Sequence, residues 1–332
     1  MKKIIHCDNL INRKTIPNIK EEVKTIIYTE EILEEALNLG RKYLHEGNVA
    51  DYIPELAKVN ANKLAISTIE DGELHSVGDS KVRFSIQSIV KVILYSLAME
   101  NYKVAELKKY VGVRPSAKPF NSVIELELSE KRIPVNPFIN AGAIIIVAIL
   151  YNVYREKTFD VILEKASQFL GEDVDYSREI AQSEKESSFT NRTLIYLMLS
   201  RELLPSDTPV EEVLDTYFKA CSILVNTENL AHMSYVISNN GIDTEGREII
   251  TKKEARVLRS LMATCGTYDY SGDFAIRVGL PAKSGVGGGI VTASKNKTGL
   301  AVYAPRLDKH GNSYSGVRML EHLSQELDLS IY

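Results

Sequence analysis

The segment FSIQSIVKV at residues 84–92 places a serine, Ser88, three positions before a lysine, Lys91, with no charged residue between them. Positions i and i+3 lie on one face of a helix, so the lysine amine can reach the serine hydroxyl. The residues around Lys91 are aliphatic. Loss of solvent would lower the pKa of its amine and favour the neutral form that a general base needs. A helix beginning at Ser88 would also direct its N-terminus at a developing oxyanion.

The same two residues also fit a purely structural interpretation, in which Ser88 caps a helix and Lys91 extends its amine to the surface. The motif S-x-x-K occurs easily by chance, and the chain has a second copy at Ser294 and Lys297. Lys297 lies among polar residues, so we expect a solvated amine whose pKa stays near 10.4, too high for a base. The first pair is the better candidate, but these residues alone leave both interpretations open.

A lysine–serine–glycine triplet late in the chain favours the catalytic interpretation. Serine–lysine acyl enzymes of the penicillin-recognising type carry K-[ST]-G on a strand beside the serine. Two triplets fit this pattern, Lys283-Ser284-Gly285 and Lys297-Thr298-Gly299. We favour the first because it stands before a glycine-rich apolar strand, where backbone can approach a ligand closely.

Composition and charge exclude several classes of function. The 332 residues are 44% hydrophobic and 25% charged with a net charge of −4, and no basic stripe suggests a nucleic-acid partner. The three cysteines, Cys7, Cys221 and Cys265, are too dispersed for a disulfide framework or a zinc site. The six histidines never have HxxxH or HExxH spacing, so we expect neither a metal nor another cofactor.

No segment has the length and apolar character of a membrane span. The longest apolar run, residues 141–151, is about half of the ~20 residues needed, and we expect it to form a buried helix. The charged N-terminus is not followed by the apolar stretch of an export signal. We therefore expect a cytoplasmic protein without a membrane partner.

Periodicity and turn signals predict the elements that hold these residues. We expect a helix over 29–47 with Thr29 as N-cap and Gly47 as its stop, and a hairpin over 63–79 turning at Asp71-Gly72. From about 88 to 265 the chain is mainly helical. Capping boxes are predicted there at Thr208 to Glu211, with Pro209 in the first helical position, and at Thr251 to Glu254.

After residue 272 the pattern changes to two strands, 287–293 and 299–305, and a closing helix over 317–327. Strands therefore occur at both ends of the chain with helices between them. The arrangement predicts an α/β fold: an antiparallel sheet formed from both termini and flanked by helices, with an inserted helical domain. We expect the sheet domain to comprise 1–87 and 266–332, the helical domain 88–265, and the active site to lie between them.

Seven segments occur in the order found in the serine-dependent glutaminases, and together they resemble that family. They are FSIQSIVK, PFNSVIELE, NPFINAGAI, SEKESSFTNR, YFKACSI, TCGTYDYSGDFA and GLPAKSGVGGGI. The resemblance runs from about residue 30 to the C-terminus. It implies a fold like that of β-lactamases and penicillin-binding proteins, hydrolysis of the L-glutamine side-chain amide to L-glutamate and ammonia, and a homo-oligomer, a tetramer by family resemblance.

The resemblance also implies a set of site residues. Ser88 is the expected nucleophile and Lys91 its base, and the expected glutamine contacts are Ser88, Tyr52, Asn140, Glu184, Asn191, Tyr217, Tyr268 and Val286. Glu184 is the only carboxylate of this set, so it should pair with the substrate ammonium. Backbone N–H groups of Ser88 and Val286 are the expected oxyanion donors. A tyrosine, Tyr268 or Tyr52, is expected to relay the proton to departing ammonia.

Most of these residues also have a structural interpretation. Tyr217 fits a packed core position, Glu184 beside Lys185 a solvated charge, and Asn140 a helix cap. Cys265 has no nearby histidine to make it a nucleophile. The family usually has serine at Val90 and glutamine at Ala220, neither of which is a contact position.

Two other classes of function remain as alternatives. The first is another acyl-serine enzyme on the same fold, a β-lactamase or a D-Ala carboxypeptidase, which the missing export signal disfavours. The second is a non-catalytic glutamine-binding or scaffold protein, which would not need a buried Lys91 beside Ser88.

Overall fold

The computed structural model describes residues 30–128, 133–294 and 297–332. The helices are α1 (Glu30–Lys42), α2 (Val90–Asn101), α3 (Val104–Leu107), α4 (Val123–Leu128), α5 (Asn140–Tyr154), α6 (Thr158–Leu170), α7 (Arg178–Ser187), α8 (Phe189–Ser200), α9 (Val210–Cys221), α10 (Thr227–Ser238), α11 (Lys252–Cys265), α12 (Ser271–Arg277) and α13 (Tyr314–Glu326). The strands are β1 (Ala65–Glu70), β2 (Glu73–Gly78), β3 (Phe84–Ser85), β4 (Leu224–Val225), β5 (Ala282–Ser284), β6 (Gly289–Thr292) and β7 (Gly299–Tyr303). The predicted cap Thr29 and the cysteine Cys7 lie outside the described residues.

Five strands form one sheet in the order β2-β1-β7-β6-β5, and every neighbouring pair is antiparallel. The first two strands come from the N-terminal part of the chain and the other three from the C-terminal part. The hairpin turn is where the sequence predicts it, because Asp71 and Gly72 both have positive φ, as a two-residue type I′ turn requires. The predicted sheet built from both termini is confirmed.

Helices cover both faces of this sheet. Because successive strand residues point to opposite faces, Ile66 and Val302 pack with the residues of α1 and α13, whereas Ala65 and Ala301 belong to the core shared with the helical part. α10 lies against the second face, in contact with β1 and β7. The division into domains at residues 87 and 265 stays a prediction.

The central helix of the molecule is α5. Its residues 140–151 are all buried, as expected for the long apolar run. Among the described residues, no helix is long and apolar enough to cross a membrane.

The predicted helix boundaries are partly right. Thr251 caps α11 through a capping box with Glu254, as expected. The capping box at Thr208 is wrong, because α9 begins at Val210 and the Thr208 hydroxyl donates instead to the carbonyl of Pro205 at 2.6 Å. α1 ends at Lys42, before the predicted stop at Gly47, and α13 begins three residues earlier than predicted.

A two-stranded ribbon of β3 and β4 was not apparent in the sequence. Phe84 pairs with Val225 and Ser85 with Leu224, and the Ile86 N–H donates to the Ile223 carbonyl at 2.7 Å. The ribbon therefore holds the residues just before Ser88 against the chain that follows α9.

Candidate active site

Ser88 and Lys91 lie at the start of α2, where a 3₁₀ turn over Gln87–Ile89 leads into the α-helix. Both side chains are buried, with Ser88 7% and Lys91 1% exposed. In a 3₁₀ turn side chains three positions apart lie on the same side, so the turn keeps this pair on one face. The interpretation in which Lys91 extends to the surface is wrong.

The amine of Lys91 has two oxygen acceptors. Its Nζ donates to the carbonyl of Phe138 at 3.1 Å and to Oδ1 of Asn140 at 2.7 Å. Burial disfavours the charged form and lowers the pKa of Lys91 to about 8. A substantial fraction of this amine is therefore neutral at mildly alkaline pH.

Tyr268 is a second buried polar residue near Ser88. Its hydroxyl donates to the carbonyl of Ser284 at 3.1 Å and lies near the hydroxyl of Ser88. Tyr268 is buried with φ of +62°, an uncommon backbone conformation for a residue other than glycine. Burial raises the pKa of Tyr268 to about 12.

Tyr52 occupies a different environment. It lies at the mouth of the pocket with 54% of its surface exposed, in the loop before the short turn Leu56–Lys58. It therefore forms part of the entrance rather than of the buried network.

Glu184 on α7 is a buried carboxylate, although its charged neighbours suggest a solvated one. Its Oε1 accepts a hydrogen bond of 2.8 Å from Nε2 of Gln87, which also donates to the Ser85 hydroxyl at 3.2 Å. Burial raises the pKa of Glu184 to about 7, against the lowering effects of the Gln87 bond and the nearby Lys91. A buried carboxylate of this kind matches a cationic group on a ligand.

Three further polar residues complete the wall of the site. Asn140, at the start of α5, donates from Nδ2 to Oδ1 of Asn191 on α8 at 3.0 Å. Tyr217 on α9 lies near the thiol of Cys221, whose pKa is raised well above its usual range by burial. Asn140 therefore links the lysine amine to the side of the pocket formed by α8.

These residues surround a pocket of about 280 Å³. Seven of the nine predicted site residues line it: Tyr52, Ser88, Asn140, Glu184, Asn191, Tyr217 and Val286. Lys91 and Tyr268 are not part of this lining, but Lys91 donates to Asn140 and Tyr268 lies near Ser88. The structure thus brings the predicted residues together at one place.

Two glycines allow the chain after β5 to approach the serine turn. A Cβ at Gly285 would lie 2.7 Å from the Ile86 carbonyl oxygen, and a Cβ at Gly287 would lie 2.4 Å from that of Ser85. Only glycine permits such close contact of two backbones. The close packing sets Val286 beside the segment that leads into Ser88.

The triplet that begins at Lys283 lies in β5 beside this site, whereas Lys297 of the second triplet is exposed in a loop. The amine of Lys283 is completely buried and donates to the carbonyls of Gly266 and Ser284 at 3.0 and 2.6 Å. It also lies 4.2 Å from the ring centroid of Tyr268. Burial, together with the positive charge of Lys91, lowers the pKa of Lys283 well below its usual range.

Sequence reasoning missed Gln87, Cys221 and Phe120 in the pocket lining. The only indication in the sequence that Gln87 belongs to the site is its position next to the predicted nucleophile. Its backbone φ of +49° has no signal in the sequence.

The chain is similar to known glutaminases over most of its length. The family model described as glutaminase matches residues 47–332. A Clostridium botulinum (strain Hall) glutaminase is 40% identical over 304 residues, which are 91% of this chain and 99% of that protein. A Clostridium tetani glutaminase is 42% identical over 306 residues, covering 91% and 98%.

Solved structures show the same similarity. A probable glutaminase, YbaS, superposes with a TM-score of 0.85 at 34% identity, over 92% of this chain and 99% of that one. The covalent complex of Bacillus subtilis glutaminase YbgJ with 5-oxo-L-norleucine gives 0.79 at 31% identity, over 90% and 98%. These matches confirm the predicted β-lactamase-like fold. The chain therefore belongs to the glutaminase family of amidohydrolases.

Proposed function

We propose that the protein hydrolyses the side-chain amide of L-glutamine to L-glutamate and ammonia through a covalent acyl-serine intermediate. The observation that carries this proposal is the buried amine of Lys91, three positions after Ser88 and bonded to Asn140 in the pocket wall. The Bacillus subtilis relative forms a covalent complex with 5-oxo-L-norleucine on reaction with 6-diazo-5-oxo-L-norleucine, which supports covalent chemistry in this family.

Lys91 is the proposed base for the attack of Ser88. A neutral amine has two N–H donors and one lone pair. The carbonyl of Phe138 and Oδ1 of Asn140 accept two hydrogen bonds from it, which leaves the lone pair to accept the serine proton. The lowered pKa of about 8 supports this role, because it makes the neutral form accessible near physiological pH.

Tyr268 is the proposed proton relay. Of the two tyrosines considered, it is the one that is buried near the Ser88 hydroxyl, whereas Tyr52 is largely exposed. The relay carries the proton from the lysine to the nitrogen of the scissile amide, which leaves as ammonia. Water then hydrolyses the acyl-serine ester to release glutamate.

The two ends of the substrate have different proposed partners. Glu184 pairs with the α-ammonium, and Asn140, Asn191 and the Tyr217 hydroxyl surround the α-carboxylate without fixed positive charge. At the reacting end, the backbone N–H groups of Ser88 and Val286 stabilise the oxyanion. The close approach of the chain at Gly285 and Gly287 supports this pairing, because it brings the two backbone segments together.

The alternatives are less well supported. The family model and the relatives that match this chain are glutaminases, which disfavours a β-lactamase or a D-Ala carboxypeptidase. A non-catalytic binding protein gains nothing from the cost of burying Lys91 beside Ser88.

The discriminating experiment compares ammonia release from L-glutamine and L-asparagine with the opening of a chromogenic β-lactam. We expect ammonia from L-glutamine, no β-lactam opening, and no activity in the Ser88→Ala variant. Treatment with 6-diazo-5-oxo-L-norleucine should modify Ser88. Modification of Cys221, which also lines the pocket, would contradict the proposal.

The site also fits the predicted arrangement between two domains. Tyr268 and Val286 come from the C-terminal part that contributes to the sheet, and Glu184, Asn191 and Tyr217 come from the helical part. The cytoplasmic location and the homotetramer stay predictions. Light scattering of the purified protein would measure the number of chains in the oligomer.

A further inference from the structure

A second and larger cavity of about 730 Å³ adjoins the pocket. The two share three lining residues, Tyr52, Phe120 and Val286. Glu184 and Asn191 line only the smaller pocket. The larger cavity, here called the outer cleft, therefore meets the pocket beside Val286, which carries the proposed oxyanion donor.

Gly311 lies at the junction between the outer cleft and the reaction centre. A Cβ at this position would lie 3.4 Å from Phe120 Cε1 and 3.7 Å from both Tyr268 Cε2 and Val286 Cγ1. A side chain there would be placed against Phe120 and Val286, two of the three residues that the pocket and the cleft share. The absence of a side chain at Gly311 therefore leaves room beside these two residues.

The charged groups of the outer cleft differ in the hydrogen bonds and ion pairs that they make. Asp269 accepts a hydrogen bond from Nδ1 of His310 at 3.0 Å. Asp308 accepts from the backbone N–H groups of His310 and Asn312 at 2.8 and 3.0 Å. Lys309 is exposed and has no ion pair within the part of the chain that the structure describes.

The other charged residues of the cleft are two arginines and one aspartate. Arg318 and Arg277 both lie near Glu321, at 3.0 and 3.9 Å. Asp51 is exposed at the entrance beside Tyr52. Lys309 is thus the cation of this cleft that remains free to meet an anionic group.

We propose that the outer cleft receives the leaving amine of N-substituted γ-glutamyl amides, so that the enzyme also hydrolyses γ-glutamyl amino acids. The carboxylate of the leaving amino acid would meet Lys309. This inference rests on the proposed glutamine hydrolysis, because it uses the same acyl-serine step with a larger leaving group.

The reaction balances without a further reactant. Oγ of Ser88 forms a bond to the γ-carbonyl carbon, the bond between that carbon and nitrogen breaks, and the amine leaves with the proton taken from the serine. Water then hydrolyses the ester. Each turnover gives one glutamate and one free amino acid.

The first test compares L-γ-glutamylglycine with L-glutamine on the intact protein. We expect kcat/KM for the dipeptide within about 100-fold of that for L-glutamine, since one tolerated substituent changes discrimination by that order. Glycine and glutamate should appear in equal amounts. Activity on L-glutamine alone would overturn this inference and leave the proposed function intact. Activity on neither would refute the proposed function itself.

The second test fills the room beside Phe120 and Val286. Gly311→Leu should lower kcat/KM for L-γ-glutamylglycine about tenfold or more and change that for L-glutamine far less. Gly72→Leu is the matched control, because Gly72 has the same φ of +87° but nothing within 4 Å of its Cβ position. Thermal unfolding of both variants checks that they fold. An equal loss on both substrates, or no selective loss, would show that the leaving group does not pass Gly311.

The third test concerns the carboxylate of the leaving amino acid. Lys309→Glu should lower kcat/KM for L-γ-glutamylglycine about fivefold to tenfold, the effect of reversing one exposed charge, and leave the uncharged γ-glutamylethylamide unaffected. Lys109→Glu makes the same change of net charge at an exposed position outside the cleft. Equal effects of the two variants would refute the role of Lys309.

Discussion

Two buried groups carry opposite charges when ionised: Glu184 lines the small pocket, and Lys91 donates to Asn140 of its wall. Burial shifts each toward its neutral form. The pKa of Lys91 falls to about 8 and that of Glu184 rises to about 7. The proposed reaction needs both of them deprotonated: the amine as a base and the carboxylate as a partner for the substrate ammonium. A rise in pH deprotonates both groups. Activity should therefore fall at acidic pH for two reasons, the protonation of Lys91 and the protonation of Glu184.

This double requirement predicts the pH dependence of Glu184→Gln. In the wild type, log(kcat/KM) should rise with a slope of about 2 below pH 7 and of about 1 between pH 7 and 8, because Glu184 loses its proton first and Lys91 second. In the variant only the lysine titrates, so the slope should be about 1 throughout. KM for L-glutamine should rise, because an amide cannot form an ion pair with the ammonium. An unchanged KM with a collapsed kcat would instead make Glu184 part of the bond-breaking chemistry.

The serine and the lysine should act as one unit. Ser88→Ala and Lys91→Ala should each lower kcat by about three orders of magnitude or more, and the double variant should be no slower than the slower single variant. Steady-state kinetics of the three variants measure this. Ser96→Ala, at a buried serine later on the same helix, is the control and should keep its activity. If the two losses multiplied, the proposed dyad would be wrong.

The sequence carries most of the information about which residues meet and little about how they are held. Ser88 and Lys91 stand out because an aliphatic segment is an unfavourable environment for the charge of a lysine. Burial of Glu184 could not be expected from its charged neighbours, since it depends on Gln87 and on the packing of α7 against α9. The positive φ of Gln87 and Tyr268 follows from tertiary contacts, which override local preference.

At the scale of elements, the position of Val286 depends on a contact between two backbones. Gly287→Ala would set a methyl group 2.4 Å from the Ser85 carbonyl oxygen and force the segment after β5 away from the serine turn. Because small displacements of catalytic groups are costly, we expect kcat/KM to fall about tenfold to 100-fold. Gly272→Ala is the control, since nothing lies within 4 Å of its Cβ position. Equal activity of the two variants would show that a glycine at position 287 is not needed to position Val286.

The sequence predicts the long elements better than the short ones. The hairpin, the buried helix α5 and the cap of α11 follow from turn residues, apolar runs and a capping box that act locally. The ribbon of β3 and β4 has two residues in each strand, too few for periodicity, and its partners are distant along the chain. The start of α9 was misplaced because the Thr208 hydroxyl has a competing acceptor in Pro205.

For the molecule as a whole, we expect that the buried Lys91, which activity requires, lowers the free energy of unfolding. The folded-state pKa of Lys91, about 8, lies below its unfolded value of 10.5. Folding therefore carries a cost of about 3 kcal/mol below pH 8, which shrinks as pH rises and is absent above 10.5. Lys91→Met removes the charge at similar size. It should abolish activity and raise the free energy of unfolding at pH 7.

Urea denaturation at pH 7 and at pH 10.5 measures this effect. The stabilisation of Lys91→Met over the wild type should be largest at the lower pH and fade at the higher one. Leu97→Met on the same helix is the control, because it exchanges one buried apolar side chain for another. A variant that is equally destabilised at both pH values would show that the amine contributes more through its hydrogen bonds than it costs through its charge.

The sheet that joins both ends of the chain also affects how the protein folds while the ribosome synthesises it. The hydroxyl of Thr68 in β1 donates to the carbonyl of Gly299 in β7, 231 positions later. At bacterial and eukaryotic rates of translation, roughly 10 to 50 s pass before that partner strand has been synthesised. Throughout this interval the N-terminal hairpin has an unpaired edge that can join a neighbouring nascent chain. Successful production of the protein therefore depends on shielding that edge until the last tenth of the chain is synthesised.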